Sequence, residues 1–114
     1  MDMKNMLEFG ESLGLSMWMG TVPASEGLPA VAYSHVGDED VRDINGDITG
    51  TIDYWSLIIV ASDYNSAKTE YDKLFNADNE DSEFYKTFHV TGKQLLIPDE
   101  GDSIFRIATD IKTT

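Results

Sequence analysis

The chain has 114 residues and no cysteine, and its 21 acidic and 8 basic side chains give a formal net charge of −13. This length fits a single domain around one core, and the missing thiols exclude disulfides, thiolate metal sites and thiol catalysis. So acidic a chain repels nucleic acid and anionic lipid, which argues against a conventional DNA-binding protein.

The composition and the N-terminal stretch predict a folded, soluble protein. A hydrophobic content of 41% with 11% aromatic residues is ordinary for a globular fold and too high for a disordered acidic chain. Residues 1–14, MDMKNMLEFGESLG, carry acids where a signal peptide needs a basic start and an apolar run. No segment approaches the length of a membrane span. We therefore expect synthesis in the cytoplasm and no membrane partner.

The N-terminal part predicts a short helix over residues 3–13, followed by a strand. Asp2 is placed to cap this helix and Gly14 to end it. Apolar side chains recur at roughly helical spacing at Met3, Met6, Leu7 and Leu13. An apolar run at residues 17–19 comes next, followed by glycines and prolines, which predicts a short strand and then an irregular loop.

The centre of the chain predicts a long β-hairpin. Residues 29–36, PAVAYSHV, and residues 49–62, TGTIDYWSLIIVAS, are rich in the β-branched and aromatic residues that favour strands. Between them, Asn45-Gly46 is the dipeptide that a two-residue type I′ turn prefers.

A continuous hairpin centred on that turn has a definite register. It would pair Val31 with Val60 and Tyr33 with Ile58, so apolar side chains face each other near the base. Nearer the turn the same register sets charged and polar residues opposite one another, so the far end should project into solvent or a partner. Trp55 stands where the second strand becomes apolar on both faces, which predicts burial between a sheet and a helix.

The C-terminal half predicts one more helix and further strands. Residues 63–75 place an apolar stripe at Ala67, Tyr71, Leu74 and Phe75. Asn65 or Ser66 is available as the N-cap. Residues 76–83, NADNEDSE, predict a solvated loop, and residues 84–100 predict two short strands or a strand and a turn. The chain then ends in a half-buried strand, with one face formed by Phe105, Ile107, Thr109 and Ile111.

This order of elements predicts the fold class. A helix, a strand, a long hairpin, a second helix and two or three strands form an α+β domain with a mainly antiparallel sheet. We expect one domain over residues 1–114, with the two helices packed on one face of the sheet.

The carboxylates of residues 35–47, HVGDEDVRDINGD, are the oxygen ligands that calcium prefers. Aligning Gly46 with the glycine of an EF-hand loop places Val41 at the first ligand position and Ile52 at the twelfth, where carboxylates are required. An EF-hand is therefore excluded. The alternative to a solvated acidic hairpin is an irregular calcium site formed by three of its carboxylates, Asp38, Asp40 and Asp43.

Other chemistry finds little support in the sequence. The two histidines, His35 and His89, have no second histidine and no carboxylate at ligand spacing beside them, so both are predicted to be strand surface residues. No G-x-S-x-G or S-x-x-K motif indicates nucleophilic catalysis, and no phosphate-binding glycine loop indicates a nucleotide. Two carboxylates at the spacing of a glycosidase pair would arise by chance on so acidic a surface, so such a pair alone does not indicate catalysis. We expect no catalytic residue, no metal and no cofactor, and a protein that is not an enzyme.

Residues 28–75 combine a proline opening the first hairpin strand, a polar excursion with glycines, and a second strand with an aromatic residue before aliphatic ones, at Pro29, residues 37–50 and Tyr54–Val60. In this order of features the segment resembles the small tail-terminator or tail-completion proteins of tailed bacteriophages. A short connector then leads into a helix that ends near Leu74. With the N-terminal helix and the C-terminal strands, the resemblance covers most of the chain, as a pattern without any catalytic or ligand motif.

The resemblance implies a virion structural protein at the head–tail junction. Such a protein would form a ring, usually six-fold, that caps the tail tube, contacts tail-tube and neck proteins, and lets DNA pass through its lumen without specific binding. The candidate assembly hairpin comprises Asp38, Glu39, Asp40, Arg42, Asp43, Asn45, Gly46 and Asp47. The alternatives are another neck or tail-tube component, a small acidic binding module that mimics DNA, and a hydrolase with paired carboxylates.

Overall fold

A computed structural model describes residues 3–22, 27–78, 84–85, 87–96 and 104–114. The elements in chain order are α1 (Met3–Ser12), β1 (Met17–Met19), β2 (Ala30–Arg42), β3 (Ile48–Ala61), α2 (Tyr64–Asn76), β4 (Phe88–Leu96) and β5 (Phe105–Thr113). The five strands form one sheet in the order β1-β2-β3-β5-β4. Strands β1 and β2 run parallel, and the other three neighbouring pairs run antiparallel.

The core lies between the two helices and one face of the sheet. Alternate strand positions point to this face, as the two-residue period of a strand requires. Its buried side chains include Met6, Phe9, Val31, Tyr33, Trp55, Leu57, Ile59, Tyr71, Leu74, Ile107 and Ile111. The expected α+β fold, with two helices on one face of a mainly antiparallel sheet, is confirmed, and so is the burial of Trp55, which is 1% exposed.

Helix α1 approaches β1 closely at a glycine. A Cβ atom at Gly10 would overlap the side chain of Met17, which is itself buried. Glycine weakens a helix by about 1 kcal/mol relative to alanine, and here the missing side chain makes room for the strand. The helix ends at Ser12, and Gly14, which was expected to stop it, follows with a φ of +83°, in the left-handed region that glycine adopts without strain.

Helix α2 has a different N-cap from the two that the sequence suggested. The carboxylate of Asp63 accepts a hydrogen bond from the backbone N–H of Ser66 at 2.8 Å. The expectation of Asn65 or Ser66 as the cap was therefore wrong, because the helix starts earlier and places Ser66 at its third residue. An aspartate at this position also complements the positive end of the helix dipole.

The buried stripe of α2 differs from the expected one at a single position. Three of the four expected residues are buried, Ala67, Tyr71 and Leu74. Phe75 is instead 54% exposed, and Glu70 is buried. The carboxylate of Glu70 lies 3.0 Å from the ammonium of Lys73, so an ion pair accompanies its burial.

The C-terminal strands agree with the expected pattern only in part. In place of two short strands, or a strand and a turn, over residues 84–100, a single strand β4 runs from Phe88 to Leu96, with an irregularity between Val90 and Gly92. On β5, Ile107, Thr109 and Ile111 are buried and Phe105 is half-buried, on the face that was expected. Residues 79–83 of the acidic loop, residues 97–103 and residues 23–26 of the irregular loop lie outside the described part of the chain.

The β2–β3 hairpin has the expected length but a shifted register at its base. Val31 pairs with Ile59 and Tyr33 pairs with Leu57, so the expected partners Val60 and Ile58 were each wrong by one residue.

This shift is already present at the pair nearest the turn, Arg42–Ile48, and two bulges beyond that pair leave it unchanged at the base. One extra residue on β3, Thr49, separates the pair Val41–Gly50 from the pair nearer the turn, and one extra residue on β2, Val36, separates His35 from Gly37. Each bulge changes the register by one residue, and the two changes cancel. The expected register therefore holds only between them, from Gly37 to Val41.

Candidate functional site

The outer half of the hairpin extends beyond the rest of the sheet. The pairing of β2 with β1 ends at Tyr33, and the pairing of β3 with β5 ends at Asp53. Residues 36–52, which we call the arm, therefore pair only within the β2–β3 hairpin. At about 3.3 Å per residue the arm projects about 25 Å, which accounts for a molecule that measures 57 × 26 × 23 Å.

The arm ends in a turn of three residues. The backbone N–H of Asp43 donates to the carbonyl of Asp47 at 2.9 Å, and that of Gly46 donates to the carbonyl of Asp43 at 3.0 Å. Gly46 has a φ of +83°. The expected two-residue type I′ turn was therefore wrong, because Ile44 also belongs to the turn and Gly46 supplies its left-handed residue. The Asp43 carboxylate accepts from the backbone N–H groups of Asn45 and Asp47 at 2.9 and 3.0 Å, which fixes the turn.

All eight residues of the candidate assembly hairpin lie in the arm, and all are exposed. Five of them meet at the turn, where the guanidinium of Arg42 donates to the carbonyl of Gly46 at 2.8 Å. The other three, Asp38, Glu39 and Asp40, follow one another along β2 and therefore alternate between the two faces of the arm. The structure thus gives the arm an ordered, polar tip and acids on both faces.

Apolar side chains are also exposed on the arm, and sequence reasoning missed them. Of the eight large apolar side chains that are exposed in the described part of the chain, four lie in this segment, at Val36, Val41, Ile44 and Ile48. Ile44 at the turn is fully exposed, and Val36 at the bulge is 67% exposed. The sequence does contain a signal for them, since these four β-branched residues interrupt an acidic stretch. A loop that only had to be soluble would not need them. Contiguous exposed apolar patches are common at interaction surfaces, and the four side chains make the arm a candidate for one.

The two faces of the arm differ in character. Asp38 and Asp40 pair with Asp53 and Thr51 on one face. The opposite face carries Val41, Ile52, Glu39 and Tyr54, by the alternation of side chains along paired strands. The hydroxyl of Tyr54 donates to Glu39 at 3.1 Å. This hydrogen bond, with smaller effects from desolvation and from the Glu39 charge, raises the pKa of Tyr54 above its usual 10.0.

His35 lies at the base of the arm with two carboxylates nearby. Its Nε2 is 2.9 Å from Asp53 Oδ1, and its ring packs edge-on against Trp55 with centroids 5.0 Å apart. The expectation that His35 has no carboxylate beside it was wrong, because the partner lies on the adjacent strand. One ligand atom from each of His35, Asp38 and Asp53 falls within 4.8 Å of the others. Among the described residues this is the group found, and the ligand atoms of Asp38, Asp40 and Asp43 do not converge in the same way.

The second histidine also has a carboxylate partner. His89 Nδ1 lies 3.2 Å from Asp78 Oδ1, and the other oxygen of Asp78 accepts from the backbone N–H of Val90 at 2.9 Å. Asp78 follows α2 and His89 lies on β4, so these bonds join the end of the helix to the edge of the sheet. Both histidines are half-buried rather than surface residues, which corrects the expectation for each.

A shallow apolar groove of about 550 Å³ lies between α1 and the free edge of β1. It is lined by Leu7, Glu11, Leu15, Ser16, Met17, Trp18, Met19 and Tyr33. Met19 is 64% exposed at this edge. The groove and the arm are two separate apolar surfaces, since one is formed by α1 and β1 and the other by the end of the hairpin.

Among the helices described, neither is long and apolar enough to cross a membrane. No family model matches the sequence, and no curated protein matches it.

Proposed function

We propose that the chain is a structural protein of tailed-bacteriophage virions, of the tail-terminator or tail-completion type. It assembles through its arm into a ring of six copies at the head–tail junction, where it contacts tail-tube and neck proteins. The arm is the observation that carries this proposal. The arm projects by about 25 Å and exposes four apolar side chains, Val36, Val41, Ile44 and Ile48. In a monomer these side chains stay in contact with water, whereas an interface between copies would bury them. The resemblance of residues 28–75 to that family supplies the identity of the assembly.

A closed ring needs two different surfaces on each copy, because its interface is head-to-tail. The arm is the first surface. We assign the groove between α1 and β1 as the second, because it is apolar, lies at a free edge of the sheet and exposes Met19. Insertion of one copy's Ile44 beside the next copy's Met19 would cover both side chains.

The charge of the chain fits a conduit for DNA. Each copy carries −13, and a ring multiplies this charge around its lumen. A lumen lined by acids offers no phosphate contacts, so DNA can slide through it without being retained.

The competing hypothesis is a monomeric DNA mimic. The acidic surface of the chain fits a mimic as well as it fits the lumen of a ring. A mimic presents acids in place of phosphates, and Asp38, Glu39, Asp40, Asp43 and Asp47 are exposed on the arm. The apolar residues among these acids favour the ring over the mimic, because an exposed isoleucine such as Ile44 at the tip does not resemble a phosphate. Another neck or tail-tube protein would share the same arm-based assembly.

Shortening of the arm tests the proposal. Glu39 and Ile52 pair directly, so residues 40–51 can be replaced by Asn-Gly to close a shorter hairpin. We expect this variant to keep the circular dichroism spectrum and cooperative unfolding of the full chain but to lose its ring. Rings that survive the deletion would overturn the assignment of the arm, and loss of folding would show that the arm belongs to the core. Substitution of Ile44 by Asp, which leaves the backbone intact, serves as the second variant.

A further inference from the structure

We propose that His35, Asp38 and Asp53 form a binding site for a divalent transition-metal ion, for which Zn²⁺ is the probe, at the base of the arm. The site is independent of the ring, since all three ligands come from one chain. It differs in composition from the calcium site suggested by the sequence, because one of its ligands is an imidazole.

The bulge at Val36 brings the three side chains to one face. In a regular strand His35 and Asp38 are three residues apart and point to opposite faces. The extra residue removes this alternation, so that His35 pairs with Trp55 while Asp38 pairs with Asp53. Both side chains therefore lie on the face of β3 that carries Asp53, and their ligand atoms come within 4.8 Å of one another. Bulges often redirect a side chain in this way next to functional sites.

The pairing of two acids is unfavourable unless a cation is present. Asp38 and Asp53 are directly opposite each other across the two strands, and like charges at such a position destabilise a sheet. Within the described residues, the lysine ion pairs are those of Lys4 and Lys73 with glutamates, so neither aspartate has a lysine partner there. Among the described residues, the ion-pair partner of Asp53 is His35, which is itself one of the three ligands. A divalent ion would compensate both carboxylates at once.

The donor set indicates the class of ion. Imidazole nitrogen suits zinc and other late transition metals, and carboxylate oxygen completes many of their sites. Metal–ligand distances of about 2.0–2.2 Å require ligand atoms about 3–3.5 Å apart around the ion. His35 Nε2 and Asp53 Oδ1 are already 2.9 Å apart, so the exposed Asp38 side chain has only to rotate inward. The packing of the His35 ring on Trp55 keeps the imidazole in place.

Three protein ligands leave at least one position on the ion for water or for a group from another molecule. The ion would connect β2 to β3 at the point where the arm leaves the sheet, because Asp53 is the first residue of β3 that also pairs with β5. Binding should therefore fix the direction in which the arm projects.

Titration calorimetry of the full chain with Zn²⁺, supported by the visible absorption of Co²⁺, tests this site. We expect one ion per chain. Asp38→Asn and His35→Gln should each weaken binding by at least about tenfold, since loss of an outer partner alone costs 10–100-fold. Asp40→Asn, on the same face of β2 two residues along, and His89→Gln, in the other His–Asp pair, are matched controls that should bind as the parent does.

The result distinguishes this site from the proposed function. The chain with residues 40–51 replaced by Asn-Gly keeps all three ligands, so it should bind Zn²⁺ although it forms no ring. Asp38 is exposed, so Asp38→Asn should fold normally and its effect can be read as loss of a ligand. Absence of saturable binding would overturn the proposal, as would equal affinities in Asp38→Asn, His35→Gln and the two controls.

Discussion

The indole N–H of Trp55 donates a hydrogen bond of 3.0 Å to the hydroxyl of Thr113, 58 residues away in the chain. Both side chains are almost completely buried, at 1% and 0% exposure. The bond joins β3 to β5 next to the pair Asp53–Thr113, where the arm leaves the sheet. A buried indole needs such a partner, because an unpaired N–H in the core loses its hydration without compensation.

Removal of this acceptor should destabilise the fold. Thr113→Val keeps the volume of the side chain but leaves the Trp55 N–H without its partner, so we expect a loss of about 1–3 kcal/mol in the free energy of unfolding. Thr51→Val makes the same chemical change at an exposed position of the arm and should stay within about 0.5 kcal/mol of the parent. Urea denaturation measures both. An equal effect of the two substitutions would contradict the role given to the buried bond.

The register of the hairpin shows how far the sequence could predict this fold. Strand composition and Gly46 were enough to predict a hairpin of the right length, because β-branched residues and a left-handed glycine are local signals. The bulges at Val36 and Thr49 depend on cross-strand packing, and neither position carries a glycine that would mark it.

The same bulge explains why the cluster at the base of the arm was missed. Regular alternation would send His35 and Asp38 to opposite faces, and Asp53 is distant in sequence.

The wrong N-cap of α2 has a simpler origin. Asp63, Asn65 and Ser66 are all good capping residues, and the choice among them depends on where β3 ends.

Two buried tyrosines should make the fold sensitive to alkaline pH. Burial raises the pKa of both Tyr33 and Tyr71 above 10.0, helped by the charge of Glu11 near the first and of Asp72 and Asp78 near the second. Because the pKa is higher in the folded chain than in the unfolded one, the contribution to stability is complete below the unfolded value. It is lost as the pH rises through the folded value.

We therefore expect the free energy of unfolding to fall as the pH rises above the unperturbed tyrosine pKa of about 10. The double variant Tyr33→Phe, Tyr71→Phe should show a smaller fall over the same rise in pH, whatever its absolute stability. Urea denaturation at several pH values gives the comparison. An identical fall in parent and variant would show that other groups cause the alkaline loss.

Salt dependence separates assembly from DNA mimicry. Copies that each carry −13 repel one another, so screening by added NaCl should strengthen self-association. A DNA mimic bound to a basic protein loses its electrostatic attraction under the same change and should dissociate. Sedimentation velocity over a range of NaCl concentrations distinguishes the two. Self-association that weakens steadily with salt would count against an interface based on the apolar residues of the arm.

A mixing experiment tests whether the arm and the groove form the two halves of one interface. Ile44→Asp should disable the arm and Met19→Asp the groove, so each variant alone should fail to form rings. An equimolar mixture retains one intact arm and one intact groove per pair. It should therefore form heterodimers that cannot close into a ring. Rings formed by either variant alone would remove the substituted residue from the interface, and a mixture that stays monomeric would show that these two surfaces do not bind each other.

The most direct test of the account is the mass and shape of the assembled full chain. Native mass spectrometry, with two-dimensional class averages from electron microscopy, should show closed rings of about six times the 12.7 kDa chain mass. Replacement of residues 40–51 by Asn-Gly should reduce the species to a folded monomer. A full chain that stays monomeric at every concentration and salt tested, both alone and mixed with tail-tube and neck proteins, would contradict the proposal that this protein assembles into a ring through its arm.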